Sequence, residues 1–479
     1  MAAAQSPGGS RRPRDWLPVG VAVTLLLSGC PLQTAPDRES LAVETLPNLE
    51  LPPAWVASSG AGAVQDNWIA AVGGAPLEAL VAEAIKYNTD LRVAVTRIDQ
   101  AAAGVRIAGG QMLPSVDLLA RAGGDLGGDS TGISGWLLSA SWELDLWGRV
   151  RYGKRAAEEQ YASVEADVAA AAQSVAALVA KAWFLASEAR QQRALAASMV
   201  TSAAELLRVA EDRQRVGVGS ELEVAQARAS LQTLRDVERQ LELSQSQATR
   251  SLEVLLGRYP SAELEAAAAF SALPAAPAAG LPSELLERRP DVIAAQRRID
   301  AAFSRAGEAD KARLPQLSLT AGASYIDSEI FVLQEKDYPV ASLGANLFAP
   351  LFRGGALKAQ YEARLADQKQ AAAIWAQTGL KAFGEVEGAL ATEATLCARE
   401  PLLEAATRDN DRALKLETER YRVGSRDLRS VLLQQMELYS SRSALLRVQA
   451  EQRVNRVNLH LALGGGFGSS PALLSSTSP

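Results

Sequence analysis

The 479-residue chain carries 49 basic and 55 acidic residues, a formal net charge of −6, and only 5% aromatic residues within a 48% hydrophobic composition. So even a balance argues against a general nucleic-acid binder, and one histidine and two cysteines cannot build a His/Cys metal cluster. An alanine-rich, aromatic-poor chain of this length favours long packed helices over a thick globular core.

At the start, Arg11, Arg12 and Arg14 precede an apolar stretch from Trp16 to Leu27, followed by "LLLSGC" ending at Cys30. The apolar run is too short for a transmembrane helix and reads as a secretory signal over 1–29. Leu-Ser-Gly-Cys resembles the bacterial lipobox, which makes Cys30 the expected lipidation site. Pro31 after it points, by the same resemblance, to outer-membrane sorting. Residues 30–75 are rich in Pro, Ser, Gly and Ala and read as an extended tether.

From there to Gly464 the chain reads as one unit written twice, at about 76–258 and 283–464, with a linker at 259–282 and a disordered tail at 465–479. Asp90, Arg97, Ile98, Asp99, Leu113 and Pro114 recur, at constant spacing, as Asp291, Arg298, Ile299, Asp300, Leu314 and Pro315. "RQRVG" ending at Gly217 recurs as "RYRVG" ending at Gly424.

Each unit opens with a helix, over about 76–110 and 283–312. Pro114 and Pro315 then start strands expected over about 114–124 and 314–326. In the second, Leu317, Leu319, Ala321, Ala323 and Tyr325 alternate with polar or small residues, the period of a half-buried strand. After a Gly/Asp/Ser-rich turn in the first unit, returning strands are expected over about 135–147 and 340–352. They carry Trp136, Trp142 and Trp147, candidate lipid-facing or girdle aromatics if the strands are in a membrane, and the further aromatic positions Phe348 and Phe352. A very long helix follows, about 150–213 or 355–421, read as interrupted by neither a proline nor a convincing cap; 60 residues of helix span roughly 90 Å. A tight glycine turn then leads into a return helix at 220–256 or 426–463. In the first return helix Leu231, Leu234, Val237, Leu241, Leu252 and Leu255 form a coiled-coil-like seam.

Ten tilted residues suffice for a strand to cross a bilayer. Four strands cannot close on themselves, and an open edge in lipid leaves backbone groups without partners. Either these strands stay out of a membrane, or several chains pool them. Three chains supply twelve strands, enough to close round a water-filled lumen.

No catalytic constellation competes. "GRVRYGKR" (Gly148 to Arg155) has the Gly-x4-Gly-Lys spacing of a phosphate loop, but Arg155 stands where Ser or Thr must hold Mg²⁺. His460 reads as a helix-end packing residue and Cys397 as a small packing residue. The many Arg and Glu along the helices read as solvated faces and i,i+4 pairs.

In chain order, "LSGC", "SWELDLWGRVR", "GLPSELLERRPDVIAAQRRIDAA", "LPQLSLTAGAS", "LFAPLFRGGALKAQYEA" and "NLHLALGGG" resemble the outer-membrane efflux protein family. The likeness is to its TolC/OprM-like exit ducts, and more closely to the NodT-type lipoprotein branch. It covers nearly everything from Cys30 to Gly464. It implies an α+β membrane protein: long antiparallel coiled-coil-like helices forming a tunnel, and four transmembrane strands per chain closing as a twelve-stranded barrel in a homotrimer. It further implies an outer-membrane location in a Gram-negative bacterium, contact with outer-membrane lipid, no cofactor, and docking to a periplasmic adaptor and an inner-membrane pump, often of the resistance-nodulation-division class. Under this resemblance the two glycine turns sit at the periplasmic tip. Arg215, Gly217, Gly219, Glu221, Arg422, Gly424, Arg426 and Asp427 become candidate gate residues. Relatives carry an acid a few residues further on; here "VLLQQ" places Leu433 at that position, so an apolar constriction replaces an acidic lock as the expectation. Two other readings stay open: a polypeptide export duct, and a periplasmic coiled-coil scaffold with no pore.

Overall fold

The computed structural model describes residues 32–57, 67–121, 133–328 and 340–466. The signal-like segment with Cys30, most of the Gly/Asp/Ser-rich turn and the tail from 467 lie outside them.

The segment read as an extended tether contains a helix, α1 (Arg38–Thr45), capped by Asp37, whose carboxylate accepts the Ser40 N–H at 3.0 Å. Further along, Trp55 is buried and donates its indole N–H to the Ala279 carbonyl at 3.1 Å. The N–H groups of Val56 and Ala57 donate to the Glu387 carboxylate at 2.8 and 2.9 Å. A few anchors hold a segment whose composition alone suggests disorder.

The helix expected over 76–110 is two helices, α2 (Trp68–Tyr87) and α3 (Thr89–Gly110). Gly74, at φ 68°, kinks α2 just before Pro76, so the run begins earlier than the proline suggests. Asn88 makes the break: its side-chain oxygen accepts the Leu91 N–H at 3.0 Å and its amide donates to the Leu255 carbonyl at 2.9 Å.

β1 (Ser115–Arg121), β2 (Ile133–Leu144), β3 (Gln316–Ser328) and β4 (Val340–Phe348) form one antiparallel sheet in the order β1-β2-β3-β4. Pro114 and Pro315 precede the strands as expected, but the returning strands stop at Leu144 and Phe348, short of 147 and 352. Asp145 ends the first of them. Its carboxylate accepts the N–H groups of Val150 and Arg151 at 3.1 and 3.0 Å and caps the next helix, while Gly148 turns at φ 84°. Trp147 and Phe352 therefore lie beyond the strands.

The long helices α4 (Arg149–Arg215, 67 residues) and α5 (Glu221–Leu255, 35 residues) are matched in length by a later pair. Between them stand a short α6 (Leu285–Arg288) and α7 (Pro290–Lys311). The later pair is α8 (Ala356–Arg422, 67 residues) and α9 (Leu428–Ala462, 35 residues). Pro401 lies inside α8, so that helix is not proline-free, and it continues through the lost backbone donor.

The chain divides into two compact units. One holds the sheet, residues 32–47, and the stretches Asp99–Ser163 and Ala295–Trp375. There Gly307 lets the Tyr152 ring approach so closely that a Cβ would stand 2.7 Å from it, and the Tyr152 hydroxyl accepts the Gln33 N–H at 2.9 Å. The other unit, Asn48–Ile98, Val164–Ala294 and the described residues from Ala376, is organised round Trp68, Val72, Leu77, Val179, Leu252 and Val457. The apolar stretches of α2 and α4 are long enough to cross a membrane by composition, yet many of their apolar side chains in this unit are buried in its core.

Not all charge is solvated face. Arg456 and Glu393 are buried and paired to each other, and Arg456 also donates to the carbonyls of Pro274 and Ala275 at 2.8 and 2.7 Å. Buried Glu253 accepts three linker N–H groups, from Ala262, Glu263 and Leu264. The linker is thus strapped to helices by charged groups. Buried ions of this kind persist only when paired and hydrogen-bonded.

His460 stacks on Trp68, with ring centroids 5.3 Å apart and planes 10° from parallel. Burial, and then the nearby Arg456 charge, push its pKa down to about 4. The folded state holds the ring neutral while the unfolded chain takes up a proton below its ordinary pKa near 6.5. Stability is unaffected above that value and falls as pH drops from about 6.5 to about 4, at roughly 1.4 kcal/mol per pH unit. Denaturant unfolding of the solubilised protein at pH 7.5 and 4.5 is expected to differ by about 2–3 kcal/mol from this group. His460→Phe, which keeps the stack and cannot titrate, removes that part of the pH dependence.

Candidate functional site

Two places in the fold hold the residues nominated by sequence: the turns between the paired long helices, and the sheet.

In the first turn, Gly217 adopts φ 77°, a left-handed conformation that strains any residue with a Cβ. The Gly217 N–H reaches the Gln214 carbonyl at 3.0 Å, and the N–H groups of Val218 and Gly219 reach the Arg213 carbonyl at 3.0 and 2.9 Å. A Cβ on Gly219 would stand 2.8 Å from the Gln214 nitrogen. Ser220 and Glu223 close a reciprocal capping box on α5, and Glu221 sits in that helix's first turn, where negative charge suits the dipole. In the second turn Gly424, at φ 79°, plays the part of Gly217. Asp427 caps α9, accepting the Ser430 N–H at 3.0 Å and hydroxyl at 2.6 Å, bonds that hold its carboxyl below the usual range.

The other nominated charges find local partners. Arg215 pairs with Asp212 at 2.9 Å, Arg422 with Glu419 at 3.0 Å, and Arg426 approaches Glu417 at 3.8 Å. Leu433, on α9, is 60% exposed.

The side chain that joins the two turns was not among those nominated. Arg213 donates to the carbonyls of Tyr421 and Arg422 at 3.0 and 3.3 Å and to that of Val218 at 3.4 Å. Its guanidinium lies 4.7 Å from the centre of the Tyr421 ring. Tyr421 is fully buried, and burial raises its hydroxyl pKa. In sequence Arg213 matches Arg420, since both stand four residues before the turn glycine. Arg420 only approaches Glu417, one turn back on its own helix, at 3.5 Å. Nothing local separates the two arginines.

In the sheet, paired residues share a face. One face carries Val116, Leu118, Leu138, Trp142, Leu319, Leu343 and Leu347 across all four strands; the other carries mainly Ser115, Asp117, Ser139, Glu143, Thr320, Ser342 and Asn346. Every residue of β1 and β4 is exposed, and among the described residues each of these strands is paired on one side only. Trp136 stands opposite Tyr325 near one end of the apolar face, and Trp142 opposite Leu319 near the other, about 20 Å apart along the strand. Trp142 and Trp147 donate their indole N–H groups to the carbonyls of Met112 and Pro315 at 2.9 and 2.7 Å, fixing the entry into each hairpin. Phe348 falls on the polar face under Arg353, and Phe352 is exposed beyond the strand.

The phosphate-loop spacing has no phosphate site. Asp145 occupies the N-terminus of α4, and Arg149 and Arg151 are engaged by Glu143 and Asp145 at 2.6 and 3.1 Å. His460 is committed to its stack, and the Cys397 thiol faces Glu393 at 3.8 Å. Among the described residues no group of His, Cys, Asp and Glu is arranged to hold a metal ion.

The sequence profile of the family described as Outer membrane efflux protein matches residues 80–258 and 281–465. The chain is 30% identical over 467 residues to the pyoverdine export outer membrane protein OpmQ of Pseudomonas aeruginosa, covering 94% of this chain and 96% of the relative. It is 30% identical over 468 residues to the probable efflux pump outer membrane protein TtgC of Pseudomonas putida, covering 94% and 95%. Its structure is similar to that of the outer-membrane channel OprN, with a TM-score of 0.78 and 25% identity over 92% of this chain and 99% of the other. A helix-rich chain with a small two-faced sheet, matched along nearly its whole length, belongs to the outer membrane efflux protein family and is an outer-membrane efflux channel protein.

Proposed function

We propose that three copies of this chain pool their strands into a closed twelve-stranded barrel, with the long helix pairs forming a helical conduit and the two glycine turns at its periplasmic end. The observation that carries this reading is the sheet: an apolar face running from edge to edge, with both outer strands paired on one side only. A lipid-facing surface of that kind requires every backbone group to be paired, and three-fold repetition pairs each β1 with a neighbour's β4. The scaffold alternative leaves this face without a purpose.

The barrel is passive and binds no cofactor. It works with a periplasmic adaptor and an inner-membrane pump, of the resistance-nodulation-division class by family resemblance, and a lipid on Cys30 adds to its anchoring. Relatives are named for pyoverdine export and for efflux pumps, so a small solute is the expected cargo. A polypeptide duct would instead copurify with an ATP-driven exporter.

At the periplasmic end Arg213 holds the two turns together, and Leu433, repeated three times, forms an apolar constriction in place of an acidic ring.

Light scattering of the detergent-solubilised protein gives the mass of three chains, and planar bilayers give a conductance; a monomer without conductance overturns the reading. Leu343→Arg, on the apolar face and 91% exposed in the single chain, costs about 2–4 kcal/mol of barrel stability if Leu343 lies at mid-membrane, whereas Asn346→Arg on the polar face costs little. Arg213→Ala removes charge-assisted bonds worth about 1.5–3 kcal/mol. Amide exchange around residues 213–219 and 421–425 then accelerates about tenfold or more, as read by mass spectrometry. Leu433→Ala raises the closed-state current, and currents equal to the unaltered protein remove the constriction.

A further inference from the structure

The internal repeat holds residue by residue in the helices. Adding 201 to the bounds of α3 (Thr89–Gly110) gives those of α7 (Pro290–Lys311), and adding 207 to those of α4 (Arg149–Arg215) gives those of α8 (Ala356–Arg422). The same two offsets carry the strand pair Ser115–Ser141 onto Gln316–Phe348.

The repeats differ in what covers them. In the unit that holds the sheet, α7 lies on the start of α4. Gly307 admits the Tyr152 ring, Glu308 approaches Arg149 at 3.9 Å, and Arg297 donates to the Glu159 carboxylate at 3.0 Å. Ala301, Ser304 and Ala306 on α7 are buried, as are Val150, Tyr152 and Ala156 on α4. Their counterparts are not. Gln100, Ala103 and Val105 on α3 keep accessible surface, and so do Leu357, Ala359 and Ala363 on α8. Ile107, near the end of α3, is 69% exposed. Two helix surfaces that cover each other in one setting lie open in the other, one on each side of the repeat.

We propose that α3 of a neighbouring copy packs on the start of α8 as α7 packs on the start of α4 within one chain. This seam presupposes the trimeric reading and fixes which surfaces meet. It places Arg106 of the neighbouring copy on Ala359, where Gly307 meets Tyr152 within one chain. A small residue faces a large one in both places, with the sizes exchanged, so that each contact fills its space. Arg106 makes no ion pair among the described residues, and Glu362, three residues beyond Ala359, has only Lys358 at 3.6 Å. Ile107 then meets Ala356 where Glu308 meets Arg149, which removes an exposed apolar side chain from water. The offsets also carry the Ala140–Ala321 pair of β2 and β3 onto Leu347 of one copy opposite Ala120 of the next. That register keeps the apolar faces in phase across the seam.

The test uses the full-length protein in detergent. Ala359 is exposed in the single chain, so Ala359→Tyr leaves the fold of each copy intact but meets the neighbour's Arg106. The ratio of monomer to trimer by light scattering is expected to rise about tenfold or more, and adding Arg106→Gly, which recreates the in-chain pair, restores the trimer; Arg106→Gly alone and unchanged ellipticity are the controls. In a Cys397→Ala background, Arg106→Cys with Ala359→Cys is bridged by a short bis-methanethiosulfonate into bands of two and three chains, which neither single cysteine gives. A trimer that tolerates Ala359→Tyr, a loss that Arg106→Gly does not relieve, or absent bands overturn this seam and leave the trimer standing. An unaltered protein that is not trimeric overturns both.

Discussion

Hydrocarbon offers no partner to a backbone N–H or C=O, and much of this chain's organisation answers to that constraint. Among the described residues its sheet has four strands, each outer strand paired on one side only, and an apolar face that continues across all four. In water such a surface is a template for aggregation. In lipid it needs closure, and one chain is too short of strands to provide it. Pairing the first strand of one copy with the last of the next is a head-to-tail contact, which forms a ring when the rotation closes. The proposed trimer follows from this geometry together with family membership.

The end of the apolar face is marked by a change of chemistry within a few residues. Trp142 and Trp147 tie their indoles to backbone carbonyls at the foot of the hairpins. Glu143 and Asp145 then engage Arg149 and Arg151 as α4 begins. These ion pairs are partly exposed, so their contribution to stability is modest. Their effect is directional: Asp145 supplies the cap that ends the strand and starts the helix in one step. The same capping is what removes any anion site from the Gly-Lys motif.

At the far end of the long helices the two turns are built alike but used differently. Both place a glycine in the left-handed region, and both are followed by a capped helix. Only the first sends an arginine across to the other. A pair of similar motifs has acquired an asymmetric link, and that link, together with the apolar cluster of Leu206, Ala210, Val224, Tyr421, Leu428 and Val431, joins the two helix pairs at this end.

Sequence by itself determined the order of the elements, the lengths of the long helices to within a few residues, the strands after Pro114 and Pro315 and the glycine turns. All of these are local: period two, period 3.6, a proline that admits a strand, a glycine at positive φ. The same local patterning carried the resemblance that identified the family. Tertiary structure alone decided which charges are buried, that the supposed tether is anchored by Trp55, that Asn88 breaks a helix by bonding to Leu255, and that Arg213 rather than Arg215 spans the turns. The physical reason is separation along the chain. Arg213 meets the Tyr421 carbonyl 208 positions away, and Trp55 meets Ala279 at a separation of 224. A partner that distant leaves no periodic trace, and an arginine that will bridge two turns reads in sequence like one that only pairs along its own helix.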